Sequence, residues 1–184
     1  GERLEKRLCP IKAGAKNCLK CSPCHIMNGY GGAGTLSHGK YNITTQFGGD
    51  LHTYVGVDKA MELMEYVDDV LCGMGGADAK LYSTASSELK TMALRNNLHL
   101  LEAKVRHLGT DRNMKILERI FDYCSQKIET EFCTAIENVE VEDDGTFLLT
   151  SDKGEQYKCK DLVMATGRSG SKWSSQICDK LGIK

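Results

Sequence analysis

The stretch from Cys9 to Lys40 constrains this chain most strongly, because it joins a cysteine cluster directly to a glycine-rich loop. Its first half has the spacing C-x8-C-x2-C-x2-C, formed by Cys9, Cys18, Cys21 and Cys24. Its second half reads GYGGAGTLSHGK and ends at Lys40. Glycines let the backbone approach a bound group closely and present bare N–H groups to an anion. The stretch therefore combines potential thiol ligands with a potential cofactor-binding loop.

The cysteine cluster has three functional interpretations. The four thiolates can ligate an iron–sulfur cluster, since C-x2-C-x2-C supplies three ligands in ferredoxin-like runs. They can also form a tetrahedral zinc site, or one C-x-x-C pair can exchange between thiol and disulfide. The alternative is reduced thiols packed as small hydrophobic side chains, although x2 spacing crowds one turn without a packing benefit. The other five cysteines fall in predicted regular elements and are predicted to be structural: Cys72, Cys124, Cys133, Cys159 and Cys178.

Charge and composition restrict the partners of the chain. The formal net charge is −1, so there is no electrostatic basis for binding nucleic acid or an anionic membrane surface. No apolar run approaches the roughly 20 residues that span a bilayer, and the first residues lack the apolar core of a signal peptide. Nine cysteines, an odd number, favour a reducing compartment, which predicts a cytoplasmic location. The sequence does not predict an oligomeric state.

The hydrophobic periodicity changes along the chain from helical to alternating. Residues 1–49 show little periodicity and are predicted to be rich in loops. Helices are predicted over 58–74, 86–95, 112–127 and 171–180. Strands are predicted over 98–105, 132–141, 146–150, 156–159 and 161–166, the last as a short buried strand that runs into Gly167. The turn at Gly167 brings bare backbone and the start of a helix together, an arrangement that can bind phosphate.

These motifs resemble those of a known family. The segments that carry the resemblance are Cys9-Pro10-Ile11 with the cysteine cluster, GGAGTLSHGK, RHLGTD at 106–111 and LVMATGRSG at 162–170. They are similar to the uncharacterised FAD-dependent dehydrogenases, also called NAD(FAD)-utilising dehydrogenases, which are flavoproteins of the glutathione-reductase type. The similarity extends over essentially all 184 residues.

The resemblance implies an α/β fold: a partial FAD/NAD(P)-binding domain of the glutathione-reductase type with an inserted mixed helical and strand region. It divides the chain into a cysteine-rich flavin-loop part at 1–56, an inserted substrate-side region at 57–128, and hairpin strands with a closing strand–turn–helix at 129–184. In that family a strand, a G-x-G-x-x-G turn and a helix open the FAD-binding domain. The one G-x-G-x-x-G spacing in this sequence, from Gly29 to Gly34, lies instead within the loop-rich segment 1–49. We therefore expect this chain to be a fragment of a longer protein. We also expect it to bind FAD poorly or not at all, because the first strand and helix that bind the pyrophosphate in that family are missing.

The resemblance also implies the positions that contact FAD. The loop along the flavin corresponds to Gly31, Gly32, Gly34, Thr35, Ser37, Gly39 and Lys40. The strand end beside the pyrophosphate and ribityl chain corresponds to Ala165, Thr166 and Gly167, and Ile136 corresponds to an apolar position whose backbone meets the adenine. Two positions depart from the family pattern, namely His38, where the family has Asp, and Ala135.

Three residues are predicted to be catalytic. Lys40 can hold a phosphate or stabilise negative charge on reduced flavin, and the alternative is a solvated surface lysine. Arg106 and His107 lie at a strand end before a helix, where substrate-facing groups often occur. Arg106 can bind a carboxylate and His107 can act as acid or base, or His107 can merely hydrogen-bond its loop.

The predicted function is thus part of an FAD-dependent oxidoreductase that passes electrons between NAD(P)H, or another donor, and an unknown small-molecule substrate. A second hypothesis is a cysteine-ligated zinc or iron–sulfur module with a structural or electron-transfer role. A third is a non-catalytic interaction domain that retains a degenerate flavin scaffold.

Overall fold

The computed structural model describes residues 1–183, which form a mixed α/β fold with two three-stranded antiparallel sheets. The chain divides into two compact units. The first unit joins residues 1–32 to the segment that begins at Glu129, and the second unit contains residues 33–128. Residues 33–56 therefore belong with the second unit, whereas the sequence analysis grouped them with the cysteine-rich segment.

The second unit contains one sheet and four helices. Its strands are β1 (Lys40–Ile43), β2 (Leu81–Ser83) and β3 (Lys104–His107), with β3 in the centre. Its helices are α1 (Leu51–Val55), α2 (Val57–Leu71), α3 (Ser87–Arg95) and α4 (Thr110–Ser125). A π-helical turn, Cys72–Gly76, follows α2. A hydrophobic cluster at the centre of this unit contains Leu71, Ala79, Leu108 and Ile116.

Two sequence predictions in this unit are corrected by the structure. The helix predicted over 58–74 ends as α-helix at Leu71, because the glycine-rich segment that follows forms the π turn and Gly75 has a φ of 110°. The strand predicted over 98–105 is shorter and shifted, since β3 covers only Lys104–His107. Its extent is limited by its partners, because β1 pairs with it over four residues and β2 over three.

The sheet of the first unit is a meander of β4 (Ile136–Val141), β5 (Phe147–Ser151) and β6 (Gln156–Cys159), in that order. Val139 in β4 is fully buried. The helix α5 (Ser171–Lys180) has the predicted bounds, and β6 also has its predicted bounds. The predicted strand over 132–141 begins instead at Ile136.

The prediction of a buried strand over 161–166 is wrong. Neither sheet of the described residues includes this segment, and the side chain of Val163 is 87% exposed. A strand forms only where another strand satisfies its backbone N–H and C=O groups, and none of β1 to β6 pairs with this segment. Apolar composition alone therefore did not make it a strand.

The described residues include no helix with both the length and the apolar character needed to cross a membrane.

Candidate functional site

The cysteine cluster lies entirely in the first unit. All nine cysteines are free thiols, and Cys9, Cys21 and Cys24 are half-buried while Cys18 is exposed. Within residues 1–183, no group of three or more His, Cys, Asp or Glu side chains is arranged to hold a metal ion. The structure thus shows the four thiols in one segment without assembling them into a ligand set.

The segment that follows the cysteines is organised by a buried arginine. Arg7 is 3% exposed, and its guanidinium donates to the carbonyl oxygens of His25 at 3.0 Å, Ile26 at 2.7 Å and Tyr30 at 2.6 Å. Burial lowers the pKa of Arg7, and the nearby Cys24 thiol opposes that shift. The sequence did not indicate this role, because Arg7 lies in a charged N-terminal segment of the kind that is usually exposed to solvent.

The glycine-rich loop is divided between the two units after Gly32. Its part in the second unit is held by Asn113 of α4, which is fully buried. The Nδ2 of Asn113 donates to the carbonyl oxygens of Gly34 and Thr35, both at 3.1 Å. Its Oδ1 accepts a hydrogen bond from the Tyr41 hydroxyl at 2.7 Å. Burial raises the pKa of Tyr41, so this hydroxyl remains a donor. The Asn113 side chain therefore holds the loop at Gly34 and Thr35.

The predicted flavin-contacting side chains of this loop are engaged within the second unit. Thr35 is fully buried. The Ser37 hydroxyl donates to the carbonyl oxygen of Gly34 at 2.6 Å and accepts from the Gly39 N–H at 3.2 Å. Thr110 donates from its hydroxyl to the Ser37 carbonyl oxygen at 3.0 Å. These hydroxyls stabilise the loop itself.

The glycines of the loop have different surroundings. A Cβ at Gly39 would lie 2.9 Å from the Gly109 carbonyl oxygen, so this position requires glycine for close packing. Beyond the adjoining residues, no described heavy atom lies within 4 Å of a Cβ built at Gly32 or Gly34, and both residues are exposed. Gly31 is also exposed and has a φ of 76°. The bare backbone of the loop is therefore presented at Gly31, Gly32 and Gly34.

Arg106 forms a buried ion pair rather than an open anion site. Its Nε and Nη2 donate to the two carboxylate oxygens of Asp68 at 2.5 and 2.8 Å, and its Nη1 donates to the Ala79 carbonyl oxygen at 2.6 Å. The hydrogen bonds to Asp68 raise the pKa of Arg106 above its ordinary value. This guanidinium joins α2 to β3, and in this conformation its three nitrogens are engaged by the protein.

Lys40 and His107, the other two predicted catalytic residues, lie side by side. They are directly opposite each other in the β1–β3 register, and both side chains are exposed. Directly opposed residues of antiparallel strands project from the same face, with Cβ atoms about 4.5–5.5 Å apart. Spacing in the sequence did not predict this pairing, because it depends on the register of two distant strands.

The first unit contains an open cavity of about 880 Å³. Three of the predicted cofactor-binding residues, Ile136, Ala165 and Thr166, line it. The hydroxyls of Thr166 and Ser174 are 2.6 Å apart. The cavity is lined by Gly1, Thr134, Ala135, Ile136, Glu137, Val139, Leu149, Leu162, Val163, Met164, Ala165, Thr166, Ser169, Gly170 and Trp173. Gly167, directly after Thr166, has a φ of 64° and is exposed. The cavity is therefore mainly apolar, with hydroxyl groups beside the turn.

Trp173 is a cavity residue that no sequence motif predicted. It lies near the start of α5, lines the cavity, and donates from its Nε1 to the Glu137 carbonyl oxygen at 3.1 Å. That hydrogen bond restricts the orientation of the indole. The one feature of the sequence that could have indicated this role is an aromatic residue shortly after the Ala-Thr-Gly turn. A tryptophan in that position is equally typical of the hydrophobic core.

No protein-family model matches this chain, and comparisons with curated proteins and with solved structures also give no match.

Proposed function

We propose that this chain is part of an FAD-dependent oxidoreductase and that the cavity of the first unit receives part of the dinucleotide. The observation that carries the proposal is the convergence of Ile136, Ala165 and Thr166 on one cavity. These residues come from β4 and from the segment before the Gly167 turn, which are distant in the sequence. The motif resemblance had selected them independently of any structure.

The composition of the cavity fits such a ligand. Its volume of about 880 Å³ lies within the range of roughly 300–1,000 Å³ for small-molecule sites. Apolar side chains such as Leu162 and Met164 offer a surface for a planar ring. Thr166 and Ser169 add hydroxyls near the turn, where hydrogen bonds to phosphate or ribityl oxygens are expected. Bound FAD would supply the electron-transfer chemistry, and the protein would bind and orient it.

Lys40 and His107 of the second unit stay predicted catalytic residues. A lysine ammonium stabilises negative charge on a ligand, and a neighbouring imidazole can donate or accept a proton near neutral pH. The two side chains share one face of the sheet and are exposed, so both can contact a substrate. Arg106 is assigned a structural role instead, because Asp68 and Ala79 engage its guanidinium.

The metal hypothesis rests on the cysteine spacing alone. The four cysteines are free thiols, and no metal-binding arrangement is found among residues 1–183. Zinc or iron–sulfur binding at Cys9, Cys18, Cys21 and Cys24 thus stays a prediction from the sequence, which elemental analysis of anaerobically prepared protein will test.

The flavin proposal is tested by titrating isotope-labelled protein with FAD and following backbone amide signals by NMR. We expect weak but saturable binding, because the G-x-G-x-x-G spacing at residues 29–34 is not flanked by a strand and a helix, the arrangement that binds a pyrophosphate. The shifted amides should be those of Ile136, Ala165, Thr166 and Gly167. An Ala165→Leu variant, which places a larger side chain on the cavity wall, should weaken binding at least fivefold.

The matched control is Ala85→Leu, at an exposed alanine of the second unit. It should leave FAD binding unchanged. If FAD produces no saturable change in the amides around the cavity, or if both leucine variants weaken binding equally, the proposal is wrong.

A further inference from the structure

A smaller cavity of about 310 Å³ lies in the second unit, on one face of α4. Its lining residues are Gly75, Asp111, Arg112, Lys115, Ile116 and Arg119. Ile116, which is 1% exposed, belongs to the hydrophobic core beneath it. Neither the motif resemblance nor the proposed flavin function assigns a role to this cavity.

The lining is predominantly cationic. Arg112, Lys115 and Arg119 are spaced three and four residues apart, which places them along one face of the helix. In the described part of the chain, none of the three forms an ion pair with a carboxylate. Asp111 is the single carboxylate among the lining residues. Three positive groups therefore surround a cavity that holds one negative group.

Arg119 is fixed at the edge of the cavity by the π turn. Its Nη1 donates to the Met74 carbonyl oxygen at 2.8 Å. A Cβ at Gly75 would lie only 2.0 Å from the same Nη1, so the absence of a side chain at Gly75 makes room for the guanidinium. A guanidinium has five N–H donors, so others remain for a ligand. The position of Arg119 is thus set by backbone geometry, which reduces the entropy lost on binding.

We propose that this cavity binds the phosphate group of a small phosphorylated molecule. Guanidinium groups bind phosphate oxygens in a bidentate manner, and a lysine ammonium adds a point charge. A volume of about 310 Å³ is at the lower end of the range for small-molecule sites and suits a phosphate with a short organic group. Asp111 lies where it can accept a hydrogen bond from a hydroxyl of that group. The proposal does not depend on the flavin function.

The test is an NMR titration of isotope-labelled protein at constant ionic strength with three probes: inorganic phosphate, glycerol 1-phosphate and chloride. We expect both phosphates to shift the amides of Gly75 and of residues 111–119 in a saturable manner, and chloride to have no such effect. If glycerol 1-phosphate binds more tightly than inorganic phosphate, the preferred ligand is a phosphate ester. If the two bind equally, the cavity recognises the phosphate group alone. Arg112→Gln and Arg119→Gln should each weaken binding at least tenfold.

Two further variants control for structural effects. Arg119→Lys retains the positive charge but loses the planar guanidinium that can bind phosphate through two N–H groups. It should therefore weaken phosphate binding less than Arg119→Gln does. Arg95→Gln removes a cation elsewhere in the second unit, in the last turn of α3, and should leave binding unchanged. The proposal is overturned if chloride reproduces the phosphate shifts, or if Arg95→Gln weakens binding as much as Arg112→Gln.

Discussion

The glycine-rich loop of the second unit and the Gly167 turn of the first unit look alike as motifs but differ in their surroundings. In the loop, Asn113 binds two backbone carbonyls, and Gly39 packs so closely on Gly109 that a Cβ would not fit. At the turn, no described heavy atom beyond the adjoining residues lies within 4 Å of a Cβ built on Gly167. The comparison shows two different reasons for a glycine. Close packing requires one at Gly39, whereas the backbone conformation alone favours one at Gly167.

The same contrast separates the polar side chains around the loop from those around the turn. The second unit uses Asn113, Arg106 and Asp68 to stabilise its own interior. In the first unit, Thr166 is exposed and lines an open cavity. Substitutions of these three interior residues should therefore affect mainly stability, whereas substitutions around the 880 Å³ cavity should affect mainly binding.

The largest expected effect is the loss of the buried ion pair in the second unit. Asp68→Ala leaves the Arg106 guanidinium buried without its carboxylate, which should reduce the free energy of unfolding by about 3–5 kcal/mol. Urea denaturation followed by circular dichroism measures this change. Glu62→Ala is the control, because its pair with Lys59 is exposed and should contribute at most about 1 kcal/mol. Similar losses for both variants would show that the Asp68–Arg106 pair is not buried in solution.

The next largest effect concerns the side chain that holds the loop. Asn113→Ala removes hydrogen bonds to Gly34, Thr35 and Tyr41, each with a typical net contribution of about 1 kcal/mol, so we expect a loss of about 2–3 kcal/mol. Hydrogen exchange of the loop amides should accelerate as well. Asn96→Ala, which removes an exposed bond to the Met92 carbonyl, should change little. Unchanged exchange in the loop of Asn113→Ala would contradict the assignment.

The comparison between the two glycine motifs is tested directly by a pair of alanine substitutions. Gly39 has a φ of 61°, and Gly167 has a φ of 64° with a ψ of −163°, so alanine is strained by about 1–3 kcal/mol at either position. Only at Gly39 does the new Cβ also collide with neighbouring backbone. We expect Gly39→Ala to cost about 1–2 kcal/mol more than Gly167→Ala in urea denaturation. Equal losses would mean that both turns are packed alike.

The smallest expected effect is a pH dependence at the hairpin between β4 and β5. The Thr146 hydroxyl and N–H, together with Lys158, lower the pKa of Asp144 from 3.8 to about 2. Because this pKa is lower in the folded state, Asp144 stabilises the fold above pH 3.8, and its contribution is lost as the pH falls through about 2.

Asp144→Asn should therefore lower the melting temperature slightly at pH 6, and the difference from the unsubstituted chain should be much smaller near pH 2. Thermal unfolding at the two pH values measures this. A constant difference at both values would show that the Thr146 and Lys158 contacts do not depend on the carboxylate charge.

Local signals in the sequence predicted several elements well. The bounds of α5 and β6 match their predictions, and Ser86 acts as the N-cap of α3 by accepting a hydrogen bond from the Leu89 N–H. These elements depend on periodicity, turn residues and caps within a few positions. The segment 161–166 was mispredicted because its apolar composition satisfied the local criterion, while strand formation required a partner.

The candidate site was only partly predictable for the same reason. The motif resemblance selected Ile136, Ala165 and Thr166, and the structure places all three on one cavity. Arg106 was predicted from its place at a strand end before a helix, but its partner Asp68 lies on another element and could not be inferred from spacing. The adjacency of Lys40 and His107 depends on the β1–β3 register, which the sequence does not specify locally.

The sequence by itself thus determined the mixed α/β character, the helix and turn positions with strong local signals, and the residues that merit testing. Only the tertiary structure decided which of those residues are engaged in the interior and which are open to a ligand. The physical reason is that helices and turns form from contacts a few residues apart, whereas ion pairs, strand registers and cavities form between distant segments.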